Sequence, residues 1–142
     1  FWWEFEGYEQ MENDRSGYRV LAGGVNGENV LSPQGDPGLT WALVTKRLGE
    51  AAGAWAVHAE LIEHEGGAGL FAGIDAASAP GDAAFEAKLA ELHWRLLAVR
   101  PDEARLAAAR ELWAAIAAVE GPETAWGGLV SALLRDPDFV SY

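Results

Sequence analysis

The chain has 142 residues, enough for one domain with its own core and too few for two comfortable ones. Half of its residues are hydrophobic and seven are Trp, which excludes global disorder, and 22 acidic against 10 basic residues give a formal charge of −12. That charge repels phosphate backbones and excludes nucleic acid as a natural partner, while the absence of cysteine removes disulfides, thiolate metal sites, covalent haem attachment and cysteine nucleophiles.

The opening Phe1-Trp2-Trp3-Glu4-Phe5 lacks an initiator Met and the basic start of a signal peptide, and reads as a processed chain or a piece of a longer one. Trp3 and Phe5 would share one face of an extended segment, with Glu4 and Glu6 on the other. Two adjacent tryptophans flanked by Phe1, Phe5 and Tyr8 suit a buried seam against another domain or chain, so Phe1, Trp2, Trp3, Phe5 and Tyr8 form a candidate interaction patch. The same aromatics beside carboxylates would also suit glycan stacking.

Tyr18 to Leu21 is a candidate strand or short helix. It leads into an irregular loop from Ala22 to Asp36 rich in Gly and Asn. The run Gly23-Gly24-Val25-Asn26-Gly27 lacks the lysine and spacing of a phosphate loop, and Asn26, Glu28 and Asn29 miss the calcium-loop pattern.

Asp36-Pro37 is a helix start, with Asp36 as N-cap and Pro37 in the first turn. Trp41, Val44, Leu48, Ala51, Trp55, His58 and Ile62 then recur at spacings of three and four, predicting a helix over 37–64 with that stripe inward. Gly49 and Gly53 within it would permit close approach of another backbone, and Gly66-Gly67 ends it. Residues 70–75 form a short apolar strand or packed loop, and 78–81 a turn.

A second helix over 82–99 carries Phe85, Leu89, Leu92, Leu96 and Val99 inward. A third opens at Pro101, with Leu106, Ala109, Leu112, Trp113, Ile116 and Val119 on its inner face. A fourth opens at Pro122, with Trp126, Leu129, Val130, Leu133 and Leu134 inward. Asp136-Pro137 ends it, and Phe139 and Tyr142 fold back onto the bundle. The expected fold is mainly α: one domain over 1–142, with an irregular or weakly β N-terminal segment (1–35) laid on a bundle of about four helices (36–142). No apolar run is long enough for a membrane span.

The densest polar cluster is His58, Glu60, Glu63, His64 and Glu65. Its histidines are six apart, whereas zinc proteases place two four apart to project them from one helical face. Glu60 and His64 are four apart and could share a metal ion, so His58, Glu60 and His64 are the candidate metal ligands. Two ligands, however, fall short of a zinc site. The bland alternative is a solvated acidic helix end with His58 hydrogen-bonded on the packed face. His93 could act as a general base only with an orienting carboxylate from elsewhere, and reads as a structural or surface histidine. None of the serines lies in Gly-x-Ser-x-Gly.

The series Leu92-His93-Trp94-Arg95-Leu96-Leu97, Arg100-Pro101-Asp102-Glu103, Leu112-Trp113 and Ala125 through Phe139 resembles the C-terminal helical modules of large secreted planctomycete and myxobacterial proteins that accompany cytochrome c-like domains. Tyr18 through Val25 is similar to a further segment of them. The resemblance implies an extracytoplasmic bacterial setting and a module within a larger assembly. It carries over no chemistry residue by residue, and the chain has no Cys-x-x-Cys-His.

The sequence therefore leans away from an enzyme and towards an acidic, non-catalytic structural or interaction module with no cofactor, whose partner is another chain or another domain of the same protein. A small metal-dependent or acid-base enzyme at His58, Glu60 and His64 and a glycan binder through the N-terminal aromatics are the alternatives. Caps and core account for most of 82–139, which leaves the aromatic start and the polar end of the first long helix as the expected seats of function.

Overall fold

The computed structural model describes residues 4–5, 8–9, 18–23, 38–64 and 66–140, and they are mainly helical. Two short strands, β1 (Glu4–Phe5) and β2 (Tyr8–Glu9), pair antiparallel with Phe5 opposite Tyr8. One helical turn, α1 (Tyr18–Leu21), packs against α2 (Leu39–Ala56). Phe1, Trp2 and Trp3, the loop from Gly24 onward and the Asp36-Pro37 start lie outside the described residues.

The chain continues from α2 into a π-helical turn (Val57–Ile62), closed by Glu63 N donating to His58 O at 3.1 Å. The buried side of this rod is not the stripe expected from its large residues. Val44, Gly49, Gly53, Ala56, Val57 and Leu61 are buried, while Trp55, His58 and Ile62 are exposed and Trp41, Leu48 and Ala51 only partly covered. The reason is steric. Gly49 lies against Ser131 and Gly53 against Gly127, both in α5 (Pro122–Leu133). A step of four forward on α2 is a step of four back on α5, so the two run antiparallel with their backbones nearly touching. Only glycine fits there: a Cβ on Gly53 would overlap the Gly127 carbonyl oxygen.

Gly66 (φ 78°) and Gly67 (φ 70°) end the rod as expected, in the left-handed region that glycine enters without strain. The following segment is a packed loop and not a strand. It makes one 3-10 turn (Gly69–Phe71) that buries Phe71, and Ile74 follows it into the core. Asp75, Ser78 and Asp82 close the next turn through hydrogen bonds to local backbone amides.

Three helices complete the bundle: α3 (Ala83–Leu97), α4 (Glu103–Glu120) and α5, followed by the turn α6 (Pro137–Val140). Asp102, and not Pro101, stands at the N-cap of α4, its carboxylate accepting from Arg105 N at 2.9 Å. Pro122 occupies the first turn of α5. The α6 turn is held by Asp136, whose side chain accepts from Asp138 N at 2.8 Å. Phe139 packs against the core as expected, and Tyr142 lies outside the described residues.

Four aromatic rings from four elements meet at the centre: Phe71, Phe85 of α3, Trp113 of α4 and Trp126 of α5. Trp126 touches the other three, with ring centroids at 5.8 Å, 4.9 Å and 5.8 Å respectively. Most contacts are edge-to-face, the arrangement the ring quadrupoles favour. Around them α4 buries a narrower stripe than its periodicity predicts. Ala109 and Trp113 are buried, but Leu112 stays 37% exposed and Val119, in the last turn before the Gly121-Pro122 reversal, 83% exposed. One indole fills the space that a wider row of aliphatics would occupy.

Three expectations follow for stability, all read from urea denaturation. Trp126→Ala should cost about 3–5 kcal/mol, because the fully buried ring leaves a cavity bordered by three other aromatics. Gly53→Ala should destabilise by about 1–3 kcal/mol through overlap with backbone, despite alanine's helix propensity. Gly127→Ala should be neutral or stabilising by up to about 1 kcal/mol, since its Cβ would meet nothing closer than 3.5 Å. Equal losses for the two glycine variants would remove the close-contact account of the seam.

Candidate functional site

A groove of about 680 Å³ is formed by α2, α4 and α5. Rows at four-residue spacing build it, the ridges that a helix presents along one edge. On α2 and its π turn the row is Glu50, Ala54, His58 and Ile62. On α4 it is Leu112, Ile116 and Glu120. The floor is α5, where Gly127, Gly128, Ser131 and Ala132 carry no long side chain.

Tight intramolecular packing makes this floor. Gly127 receives α2, and a Cβ on Gly128 would stand only 2.6 Å from Ile116 Cδ1. The walls are apolar where Ile62 and Leu112 stay exposed. The ends are charged: Glu120 and Glu123 flank the end near the α4–α5 reversal, while Glu50 and Arg135 flank the other. Glu50 pairs with Lys46 at 3.7 Å, and no ion pair involves Glu120 or Glu123 among the described residues.

The histidine-glutamate cluster is arranged differently. His58 is exposed, contrary to its expected place on the packed face, and its Nδ1 lies 3.4 Å from a Glu63 carboxylate oxygen. His64 Nδ1 donates to Ala59 O at 2.8 Å. Glu60 faces the next loop, where its carboxylate accepts from Leu70 N at 2.6 Å and its carbonyl accepts from Ala68 N at 2.6 Å. Each of the three thus has its own neighbour, and no group of three His, Asp or Glu side chains is placed to hold a metal ion among the described residues. Glu60 fastens the 3-10 turn to the π turn. Arg95 secures the same turn from α3, donating to Gly69 O at 2.7 Å.

The interaction patch is described only in part. Phe5 and Tyr8 are backbone partners in the β1–β2 pair, whereas Phe1, Trp2 and Trp3 lie outside the described residues. His93 is buried, and its Nδ1 donates to Leu89 O at 2.7 Å one turn back, a structural role. Among the described residues no helix is long and apolar enough to cross a membrane.

No family model matches this chain, and neither a curated protein nor a solved structure matches it. The site therefore rests on its own geometry. Sequence reasoning assigns Leu112 and Ile116 to the inner face of α4 and passes over Glu120 and Glu123, because the 112, 116, 120 row looks like the ordinary edge of an amphipathic helix. The available signal is the Gly127-Gly128 pair on α5, which marks a helix face open to close neighbours.

Outside the groove, one buried cation stands out. Lys88 is 3% exposed and its ammonium lies 2.5 Å from a Glu91 carboxylate oxygen, with Arg95 at 3.2 Å from the other. The hydrogen bond and charge of Lys88, and then those of Arg95, hold the Glu91 carboxyl below its ordinary value of 4.5, against the opposing effect of burial. A depressed folded value means that the stabilisation is complete above 4.5 and is lost as pH falls through the lower folded value. Stability measured by urea denaturation should therefore decline as pH drops below 4.5, and Lys88→Met should show a shallower decline. An unchanged acid limb in that variant would separate Lys88 from the effect.

Proposed function

We propose that this chain is a non-catalytic protein-interaction module, a domain or subunit of a larger assembly, whose contact face is the α2–α4–α5 groove. The observation carrying this reading is the groove's make-up: exposed apolar walls of Ile62 and Leu112 over a floor of small residues, with charge confined to the ends. Such a surface buries apolar side chains and gives orientation through its rim, the usual division of labour at an interface. The described ionisable clusters are engaged in holding turns and helices together, which further supports a binding over a catalytic role.

The N-terminal aromatics Phe1, Trp2, Trp3, Phe5 and Tyr8 form a second contact region in this proposal, motivated by their sequence. The resemblance of the C-terminal helices to modules of large secreted bacterial proteins extends it to an extracytoplasmic assembly.

The groove is tested with a photo-crosslinking residue at Leu112 and, as control, at exposed Ala87 on α3, outside the groove. Crosslinks to a discrete partner should form from position 112 and not from 87. They should disappear when Ala54→Trp fills the groove, a change at an exposed position that leaves the helical circular dichroism intact. Equal adducts from both positions, or adducts insensitive to Ala54→Trp, would overturn the assignment.

A further inference from the structure

We infer that the groove receives an amphipathic α-helix with a cationic end, supplied by another protein. The inference rests on the groove being the contact face and specifies what fits it. The lining rows run along the helix axes, and the α2 row from Glu50 to Ile62 covers about 18 Å at 1.5 Å per residue, roughly three turns of a guest helix. Ile62 on one wall and Leu112 and Ile116 on the other offer apolar contact to the two flanks of such a helix. The floor of Gly127, Gly128 and Ser131 leaves room for its side chains to settle.

Charge selects the occupant. Glu120 and Glu123 stand together at one end, unpaired among the described residues, with His58 close in the lining and itself beside Glu63. At the opposite end Glu50 has Lys46 as its neighbour, and Arg135 adds a positive charge. The groove thus has an acidic end and a neutral-to-basic end. This chain's own N-terminal segment carries Glu4, Glu6, Glu9 and Glu12 beside its aromatics, the wrong sign for the acidic end. A second copy brings a net charge of −12 and is repelled at long range. A helix with Lys or Arg at one end meets Glu120 and Glu123 and so fixes both its affinity and its direction in the groove.

The test uses three labelled synthetic helical peptides of about four turns that share one leucine face and differ in carrying Lys, Gln or Glu at one end. Binding to the full chain is followed by fluorescence anisotropy at low and high salt. The Lys peptide should bind about 5- to 10-fold more tightly than the Gln peptide at low salt, with the advantage shrinking as salt rises. The advantage should vanish in the double variant Glu120→Gln, Glu123→Gln, and all binding should vanish in Ala54→Trp. A Lys preference that survives the double variant overturns the placement of the cation. Equal binding of the three peptides, or a preference for Glu, overturns the charge inference while the groove remains the contact face. Failure of all three to bind, or binding unaffected by Ala54→Trp, overturns both.

Discussion

The architecture depends on one close approach, the contact of α2 with α5 at Gly53 and Gly127. Consecutive glycines of α5 serve two neighbours: Gly127 admits the backbone of α2 and Gly128 admits the Ile116 side chain of α4. Each glycine weakens its helix by about 1 kcal/mol relative to alanine, and at Gly53, where a Cβ would overlap the Gly127 carbonyl oxygen, the cost is offset by packing that no side chain would permit. Because α2 and α4 approach α5 through adjacent residues, they flank it without closing over it. The groove is the space that remains between them, and its floor is the same glycine pair that sets the helices in place.

A second constraint fixes the opposite side of α5. Trp126 draws Phe71, Phe85 and Trp113 into one aromatic cluster, which ties a loop and two further helices to α5. The loop is held from outside as well, by Glu60 on the π turn and by Arg95 on α3. Arg110 links α4 to α3 through Glu86 while also pairing with Glu103 of its own helix, and Arg105 links α4 to α6 through Asp138. These polar ties determine relative placement more than they contribute stability, since exposed ion pairs contribute little. They also account for why the histidine-glutamate cluster does not converge: Glu60 is engaged by the loop it fastens, His58 by Glu63 and His64 by the Ala59 carbonyl.

The C-terminal helices were legible because their signals are local. Proline, aspartate and glycine at 101, 102, 121, 122, 136 and 137 act through backbone chemistry within one turn, and the structure places the helix boundaries within two residues of the expected ones. The inward face of α2 was not legible by the same means. Periodicity finds the row with the largest side chains, Trp41, Leu48, Trp55 and Ile62, but burial follows the row that lets another backbone approach most closely. Gly49 and Gly53 hold that answer, and their significance depends on a partner almost eighty residues away. The groove was hidden for the same reason. Its α2 and α4 rows look like ordinary helix edges until α5 brings them to one side of the molecule.

Glu120 gives the groove's acidic end its clearest physical meaning. It lies in the last turn of α4, where the helix dipole already concentrates negative charge and a carboxylate is disfavoured. Glu123, in the first turn of α5, sits where a carboxylate is favoured. Thr124 hydroxyl donates to the Glu120 carbonyl at 3.2 Å, which satisfies the backbone and leaves the carboxylate unpaired among the described residues. A neutral residue at 120 would serve the fold better. A carboxylate there suits the occupant proposed for the groove, since a cation reaching this end would offset both the negative helix terminus and the charge of Glu120 and Glu123.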